Sequence, residues 1–166
     1  MSEFHGDEQA KLGDVLRSWC DRNEIRYRDH GGWLEATWSG PLGRLRAVLE
    51  PREHKDLVHF FVYPPVRIPD AALARVTELV ARINWIIGLW CLELDCDDGT
   101  LRVRSSVVAR EGRLEDPVIE HHLRGALELA KHYLPTVYAV AYGTVAPAEA
   151  LAALPQEPAA PVDELN

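Results

Sequence analysis

Between residues 8 and 22 the apolar positions Leu12, Val15, Leu16, Trp19 and Cys20 recur at steps of three and four, which lays one stripe along an amphipathic helix. After Asn23 the period drops to two: Ile25 and Tyr27 alternate with Arg26 and Arg28 until Asp29-His30-Gly31-Gly32 turns the chain. Trp33 to Ser39 and Arg44 to Glu50 flank Gly40-Pro41-Leu42-Gly43 as two further strands. Leu57 to Tyr63 is apolar on both faces and stopped by Pro64-Pro65, the pattern of a central strand. This part of the chain reads as an antiparallel meander.

Pro69 at a first helical position, with Asp70 near the positive end of the helix dipole, opens a second helix. Leu73, Val76, Leu79, Val80, Ile83 and Ile87 give it an apolar face, and Gly88 is placed to end it. Leu89 to Cys96 and Leu101 to Val107 then read as a hairpin with Asp98-Gly99 as a two-residue turn. In that register Asp95 opposes Arg102, Leu94 opposes Val103 and Glu93 opposes Arg104. Ion pairs fall on one face and apolar pairs on the other, which describes a one-sided sheet with helices behind it. Asp116 as N-cap and Pro117 in the first turn start a third helix, with Val118, Ile119, His122, Leu123, Ala126, Leu127 and Ala130 on one face. Pro135 is expected to break or kink it, Val137 to Tyr142 to resume as a short apolar helix, and Pro147 to Leu151 to add a last turn. The expected fold class is α+β: an antiparallel sheet of about five strands packed by helices, in the order α-β-β-β-α-β-β-α.

At 166 residues, 47% apolar and 27% charged, the chain suits one globular domain, expected over 8–153, and is too short for a large multidomain enzyme. Residues 154–166, rich in proline and acid, have too little apolar surface to offset their ordering entropy and are expected to form a mobile tail. The 18 basic against 26 acidic residues leave a net charge of −8, so a nucleic-acid partner is not expected. Met1 to Ala10 has no basic start and no apolar stretch, and Trp85 to Leu92, interrupted by Gly88, is too short to cross a bilayer. A cytoplasmic location without membrane insertion is the expectation. Cys20, Cys91 and Cys96 are read as reduced core fillers, the last two on opposite faces of one strand and so unable to share a metal.

No phosphate-binding glycine loop, dinucleotide fingerprint or nucleophile elbow occurs. Asp95-x-Asp97-Asp98-Gly99 resembles the start of a calcium loop, but Thr100 stands at position six and Ser106 at position twelve, so a hairpin turn is the better reading. His121, Glu128 and His132 share a helix face without a further ligand in reach, as a solvated face would. His54 and His59 have no nucleophile or acid at a readable spacing, and the serines at 2, 18, 39, 105 and 106 show no partner. Catalytic, metal and cofactor residues are therefore expected to be none. Three Arg-x-Arg units, Arg26/Arg28, Arg44/Arg46 and Arg102/Arg104, each place both arginines on one face of a strand, and aligned they would make a cationic surface in an acidic protein. Glu93, Asp95, Glu35 and Glu50 are expected to neutralise them across strands. Of the five tryptophans, Trp19, Trp33, Trp38, Trp85 and Trp90, most are expected in the core or at a dimer contact.

Three stretches read together carry a family resemblance. They are Leu79-Val80-Ala81-Arg82-Ile83-Asn84 running into Leu92-Glu93-Leu94-Asp95 and Asp98-Gly99-Thr100-Leu101-Arg102-Val103-Arg104-Ser105-Ser106; Tyr133-Leu134-Pro135; and Pro147-Ala148-Glu149-Ala150-Leu151 after Gly143. Over about residues 10 to 153 the sequence resembles the bacterial YbjN family. The resemblance implies a curved antiparallel sheet covered by helices, similar to class I chaperones of type III secretion, frequent homodimers, no catalytic residues, and a role in regulating sensory transduction. Asn84, at a matching position, is expected to satisfy backbone groups where the second helix meets the hairpin. The functional expectation is a non-enzymatic regulatory or chaperone-like module, a homodimer that binds an unidentified protein segment in a groove or at a sheet edge. Trp33, Trp38, Trp85, Trp90, Val137, Tyr138 and Tyr142 are the expected partner or dimer surface. The alternative is a sensor that binds a small anion through Arg26, Arg28, Arg44, Arg46, Arg102 and Arg104.

Overall fold

The stripe at Leu12, Leu16, Trp19 and Cys20 becomes the buried face of α1 (Leu12–Arg22) in a computed structural model that describes residues 11–110 and 112–154. Lys11 cannot cap this helix. The first free N–H groups, of Leu12 and Gly13, instead donate to the carboxylate of Glu53 at 2.8 and 2.9 Å, tying the helix start to the turn after the third strand. The meander follows as β1 (Tyr27–Asp29), β2 (Leu34–Gly40), β3 (Gly43–Arg52) and β4 (Leu57–Tyr63). With β5 (Cys91–Leu94) and β6 (Leu101–Val108) they form an antiparallel sheet in the order β1-β2-β3-β4-β6-β5, so β4 is central as its apolar run demands. Among the described residues the sheet has six strands, one more than expected. The period-two segment after Asn23 pairs with β2 as a short edge strand, pinned by Asp29, which accepts hydrogen bonds from Arg17 and Gly31.

One face of the sheet carries Leu34, Ala36, Leu45, Ala47, Leu49, Val58, Phe60, Val62, Leu92, Leu101 and Val103, all buried beneath the helices. α2 (Leu73–Ile86) starts through a 3-10 turn at Asp70–Ala72 and ends when Ile87 takes an extended backbone, one residue before the glycine expected to stop it. α3 (Asp116–Tyr142) has Glu115, not Asp116, at its N-cap position, without a side-chain cap bond, and the Asp116 carboxylate accepts from Arg22 of α1. It runs unbroken through Pro135, contrary to expectation. The hydrogen bond a proline forfeits is the one to the carbonyl four residues earlier, and here both Lys131 and Pro135 lie on the exposed face. Buried Tyr133, Leu134, Val137 and Val140 on either side hold the helix to the core. α4 (Pro147–Ala152) is the expected last turn; the remainder of the expected tail, 155–166, and the expected helix start at 8–10 lie outside the described residues.

The hairpin forms, with its register moved by two residues. Cys91 pairs with Arg104, Leu92 with Val103, Glu93 with Arg102 and Leu94 with Leu101. Aspartate side chains cause the shift by competing for the corner: Asp95 accepts from the Asp97 N–H, Asp98 accepts from the Thr100 N–H, and the Asp95 carbonyl accepts from Gly99. The result is a longer loop closed between Asp95 and Thr100. Gly99, at φ +72°, is needed for a close approach as well: a Cβ there would stand 2.1 Å from the Ile68 carbonyl oxygen. Cys96 therefore sits exposed in a loop, and of the cysteines only Cys20 is fully buried. Because the shift is even, every strand side chain keeps its expected face. Among the described residues no helix is long and apolar enough to cross a membrane, and no three His, Cys, Asp or Glu side chains converge as a metal site would require.

Candidate functional site

Among the described residues no helix lies over the sheet's other face, and strand register brings the three Arg-x-Arg units to it together. Arg28 opposes Glu35, Arg44 opposes Ser39, Arg46 stands between Thr37 and Tyr63, and Arg104 between Phe61 and Cys91. Arg52 joins them from the end of β3, and Arg26 continues the alternation of β1. On the strands and at Arg26 this face carries seven arginines against Glu35, Glu50 and Glu93. Glu35 reaches Arg46 at 3.4 Å and Glu50 reaches Arg52 at 2.8 Å. Glu93 serves two arginines, accepting from Arg102 Nε at 2.6 Å and from Arg104 Nε. Asp95 pairs with no arginine, since the turn uses its carboxylate. Among the described residues Arg26, Arg28 and Arg44 form no ion pair.

At the centre of this face lies a concavity of about 530 Å³, with His59 and Phe61 of β4 between arginines of β3 and β6. The Arg102 guanidinium lies 4.2 Å over the Phe61 ring and donates to Tyr63 Oη at 3.2 Å, while Arg46 lies 4.2 Å over Tyr63. Ser106 Oγ accepts from Arg104 at 3.1 Å and lies 2.8 Å from His59 Nδ1. The Ser106 hydroxyl thus links the ring to the Arg104 guanidinium. Burial lowers the His59 pKa most; Arg104, Arg52 and Arg102 push the same way against Glu50. Burial raises that of Glu93, but hydrogen bonds from Arg104 and Arg102 outweigh it and hold the carboxyl below its ordinary value.

On the helical side, Trp85, Ile86 and Leu89 project at the junction of α2 and β5, with 89%, 60% and 49% of their surface exposed. Ile86 lines a groove of about 920 Å³ between the end of α2, α3 and α4, whose apolar side chains Ile87, Trp90, Leu129, Tyr133 and Leu151 are joined by Arg82, Glu128 and His132. Trp90 is fixed there: Nε1 donates to the His122 carbonyl at 3.1 Å and the ring lies against Gly125, where a Cβ would stand 2.0 Å from Cζ2. The other rings expected on a partner surface are dispersed. Trp33 stacks on His30 at 3.9 Å beside the arginine face, Trp38 packs half-buried against the core, and Tyr142 donates to the Arg67 carbonyl at 2.9 Å. Tyr138 is half-buried. Val137 is 0% exposed and belongs to no surface, because the unbroken helix turns it inward with Leu134 and Val140.

Two serine–histidine pairs escaped the sequence. Besides Ser106–His59, Ser105 Oγ lies 2.5 Å from His122 Nδ1, inside the core, where the ring stacks on Phe60 and burial lowers its pKa. Adjacent residues of one strand face opposite ways, so the Ser105-Ser106 dipeptide serves both faces. The partners lie 17 and 47 residues away, beyond any local spacing rule. Among the described residues neither histidine is hydrogen-bonded to a carboxylate, and Ser105 is buried. His121 meets the Trp90 ring and His132 the Tyr133 ring, while Glu128 pairs with Lys131. Asn84 makes the contact expected of it, exchanging two hydrogen bonds with the backbone of Leu92, both at 2.9 Å.

The YbjN family, described as "Putative bacterial sensory transduction regulator", matches over residues 13–139. Among solved structures, YbjN of E. coli, "a putative transcription regulator", is 16% identical with a TM-score of 0.59, covering 78% of this chain and 91% of its own. A chain of the ExsC–ExsE complex is 14% identical with a TM-score of 0.58, covering 78% of this chain and 96% of its own. A chain of the HopA1–SchA chaperone–effector complex is 17% identical, covering 72% and 89%, with a TM-score of 0.46. These likenesses are ones of fold: the α+β architecture expected from the sequence, an antiparallel sheet packed by helices, is the one the chain adopts, and it is shared with YbjN of E. coli and with a chain of the ExsC–ExsE complex. No curated protein is similar enough in sequence to count as a relative.

Proposed function

The chain belongs to the YbjN family, and from that premise we propose that it is a non-enzymatic cytoplasmic regulator, a homodimer that binds a segment of another protein in the groove between α2, α3 and α4. One observation carries this reading: Trp85, Ile86 and Leu89 are bare apolar side chains at the end of α2, and Ile86 among them lines that groove. A tryptophan buries about 150–250 Å², so covering the Trp85 ring alone is worth roughly 4–6 kcal/mol at about 25 cal/mol per Å². A monomer in water forgoes that energy, whereas an interface collects it. Support comes also from the fold shared with a chain of the ExsC–ExsE complex. A second copy seated on these side chains leaves the groove for the segment.

Light scattering tests the first half. The full chain is expected at about twice 18.7 kDa, and Trp85→Asp, with unchanged circular dichroism, is expected to weaken association at least tenfold. A wild-type chain that stays monomeric at high micromolar concentration overturns the dimer. For the second half, a photo-cross-linking residue at exposed Ala152 is expected to trap one discrete protein in the host, with loss of that product in Leu129→Asp. Unchanged trapping in the variant refutes the groove.

A further inference from the structure

The groove leaves the opposite face of the sheet without a role, although that face concentrates seven arginines against three glutamates in a chain of net charge −8. Each Arg-x-Arg unit sets two like charges at i and i+2 on one side of a strand, where they repel, and a merely solvated face has no need of three such units. The arrangement around His59 is also prebuilt. Glu93 holds the Nε edges of Arg102 and Arg104, Tyr63 and Ser106 hold one terminal nitrogen of each, and Phe61 supports the Arg102 plane. Nη2 of both guanidinium groups is left without a hydrogen-bond partner among the described residues. One carboxylate cannot cancel two guanidinium charges, so a positive charge remains uncompensated beside the His59 ring. Across the concavity stands Arg52, shared with Glu50, the acid of this rim.

We propose that this concavity is a binding site for a small ligand bearing a carboxylate or phosphate group, held by Arg102 and Arg104 on one side, Arg52 on the other, and His59 between them. Locked arginines lose little rotamer freedom on binding, and their planar forks match both oxyanions. The volume of about 530 Å³ suits a small molecule. A long polyanion fits less well, because the strongly negative remainder of the chain repels it beyond the basin. The site is separate from the groove between α2, α3 and α4 and does not depend on it.

Calorimetry on the full chain at low chloride tests the assignment, with pyrophosphate and citrate as probes so that the two arms separate phosphate from carboxylate chemistry. One of them is expected to bind saturably at one equivalent. Bound anion opposes the influence of Arg104, Arg52 and Arg102 on His59 and adds to that of Glu50, so the His59 pKa followed by NMR is expected to rise. Arg104→Gln is expected to weaken binding at least tenfold. Arg52→Gln, exposed at the end of β3 and paired with Glu50 alone, should act in the same direction and keeps the test valid if Arg104→Gln loosens β5. Arg124→Gln, an equal loss of charge on exposed α3, should change affinity less than twofold. Absence of saturable binding by both probes, an equal effect of Arg124→Gln and Arg52→Gln, or binding of polyglutamate where neither small probe binds would each overturn it.

Discussion

Replacing Asn84 by alanine isolates the contact that holds β5 against the helices. Among the described residues β5 is an edge strand, paired only with β6. The Leu92 N–H and C=O therefore turn outward, and the Asn84 amide meets both at 2.9 Å as a neighbouring strand would. Leu92 is buried, so water reaches those groups poorly once the amide is gone. An unsatisfied backbone group costs about 1–3 kcal/mol, and partial hydration at the half-buried Asn84 position places the two together near 2–4 kcal/mol. For a domain of this size that is a fall in Tm of about 5–15 °C. Asn84→Asp sharpens the test. Its carboxylate still accepts from the Leu92 N–H but opposes the Leu92 carbonyl, so at pH 7 it should destabilise at least as much as alanine. Burial and that carbonyl raise the folded-state pKa of the new carboxyl above its unfolded value. Its protonated form restores the missing donor, so the deficit relative to wild type shrinks as pH falls through the raised pKa. Urea denaturation of the three proteins at pH 7 and pH 5 reads both effects. A loss below about 0.5 kcal/mol for Asn84→Ala, or a pH-independent deficit for Asn84→Asp, refutes the reasoning.

Gly125→Ala should destabilise by about 1–3 kcal/mol, since its methyl group collides with the Trp90 ring and overpacking exceeds the helix-propensity gain of about 1 kcal/mol; a red-shifted tryptophan emission would accompany the loss. His59 and His122 have folded-state pKa values below their ordinary range, so the unfolded chain takes up their protons first. Their contribution is complete above about pH 6.5 and is lost as pH falls through that value and towards the lowered ones, and urea midpoints between pH 7 and 5 should drop accordingly, less steeply in His122→Asn. Burial pushes the Cys20 thiol up to about 11, while Cys96 is exposed. Timed alkylation read by mass spectrometry should therefore modify Cys96 first and Cys20 only on unfolding.

Most elements were legible because burial imposes period 3.6 on α1, α2 and α3, period 2 on β2, β3, β5 and β6 and a continuous apolar run on central β4, and apolar side chains report burial directly. What failed was local competition. At the hairpin corner, Asp95 and Asp98 bind the backbone themselves and displace the two-residue turn that Asp98-Gly99 alone would favour. At Pro135 the intrinsic penalty is real, but the orphaned Lys131 carbonyl lies on the wet side while the dry side is continuous, so tertiary packing prevails over propensity. Val137 was misplaced as a consequence, since its exposure depended on the helix stopping.

The candidate sites divide along the same line. Alternation within a strand places both members of an Arg-x-Arg unit on one side, so each pair was visible; that all three share a face is a property of pairing between strands. Strand order inserts β4 between β3 and β6, and this sets His59 and Phe61 among the arginines of both. Neither His59 nor Arg52 carries a spacing that reveals this. The even slip of the hairpin is what allows Glu93 to serve Arg102 directly and Arg104 on the diagonal, whereas the expected register gave each arginine its own acid. One carboxylate between two guanidinium groups leaves a charge over, and that surplus follows from the aspartates of the turn as much as from the arginines. The strand that carries Glu93 is only 4 residues long. It is gripped at Leu92 by Asn84 from the helical side and at Glu93 by two arginines from the open side, so the position of that carboxylate depends on an amide on the other face of the sheet.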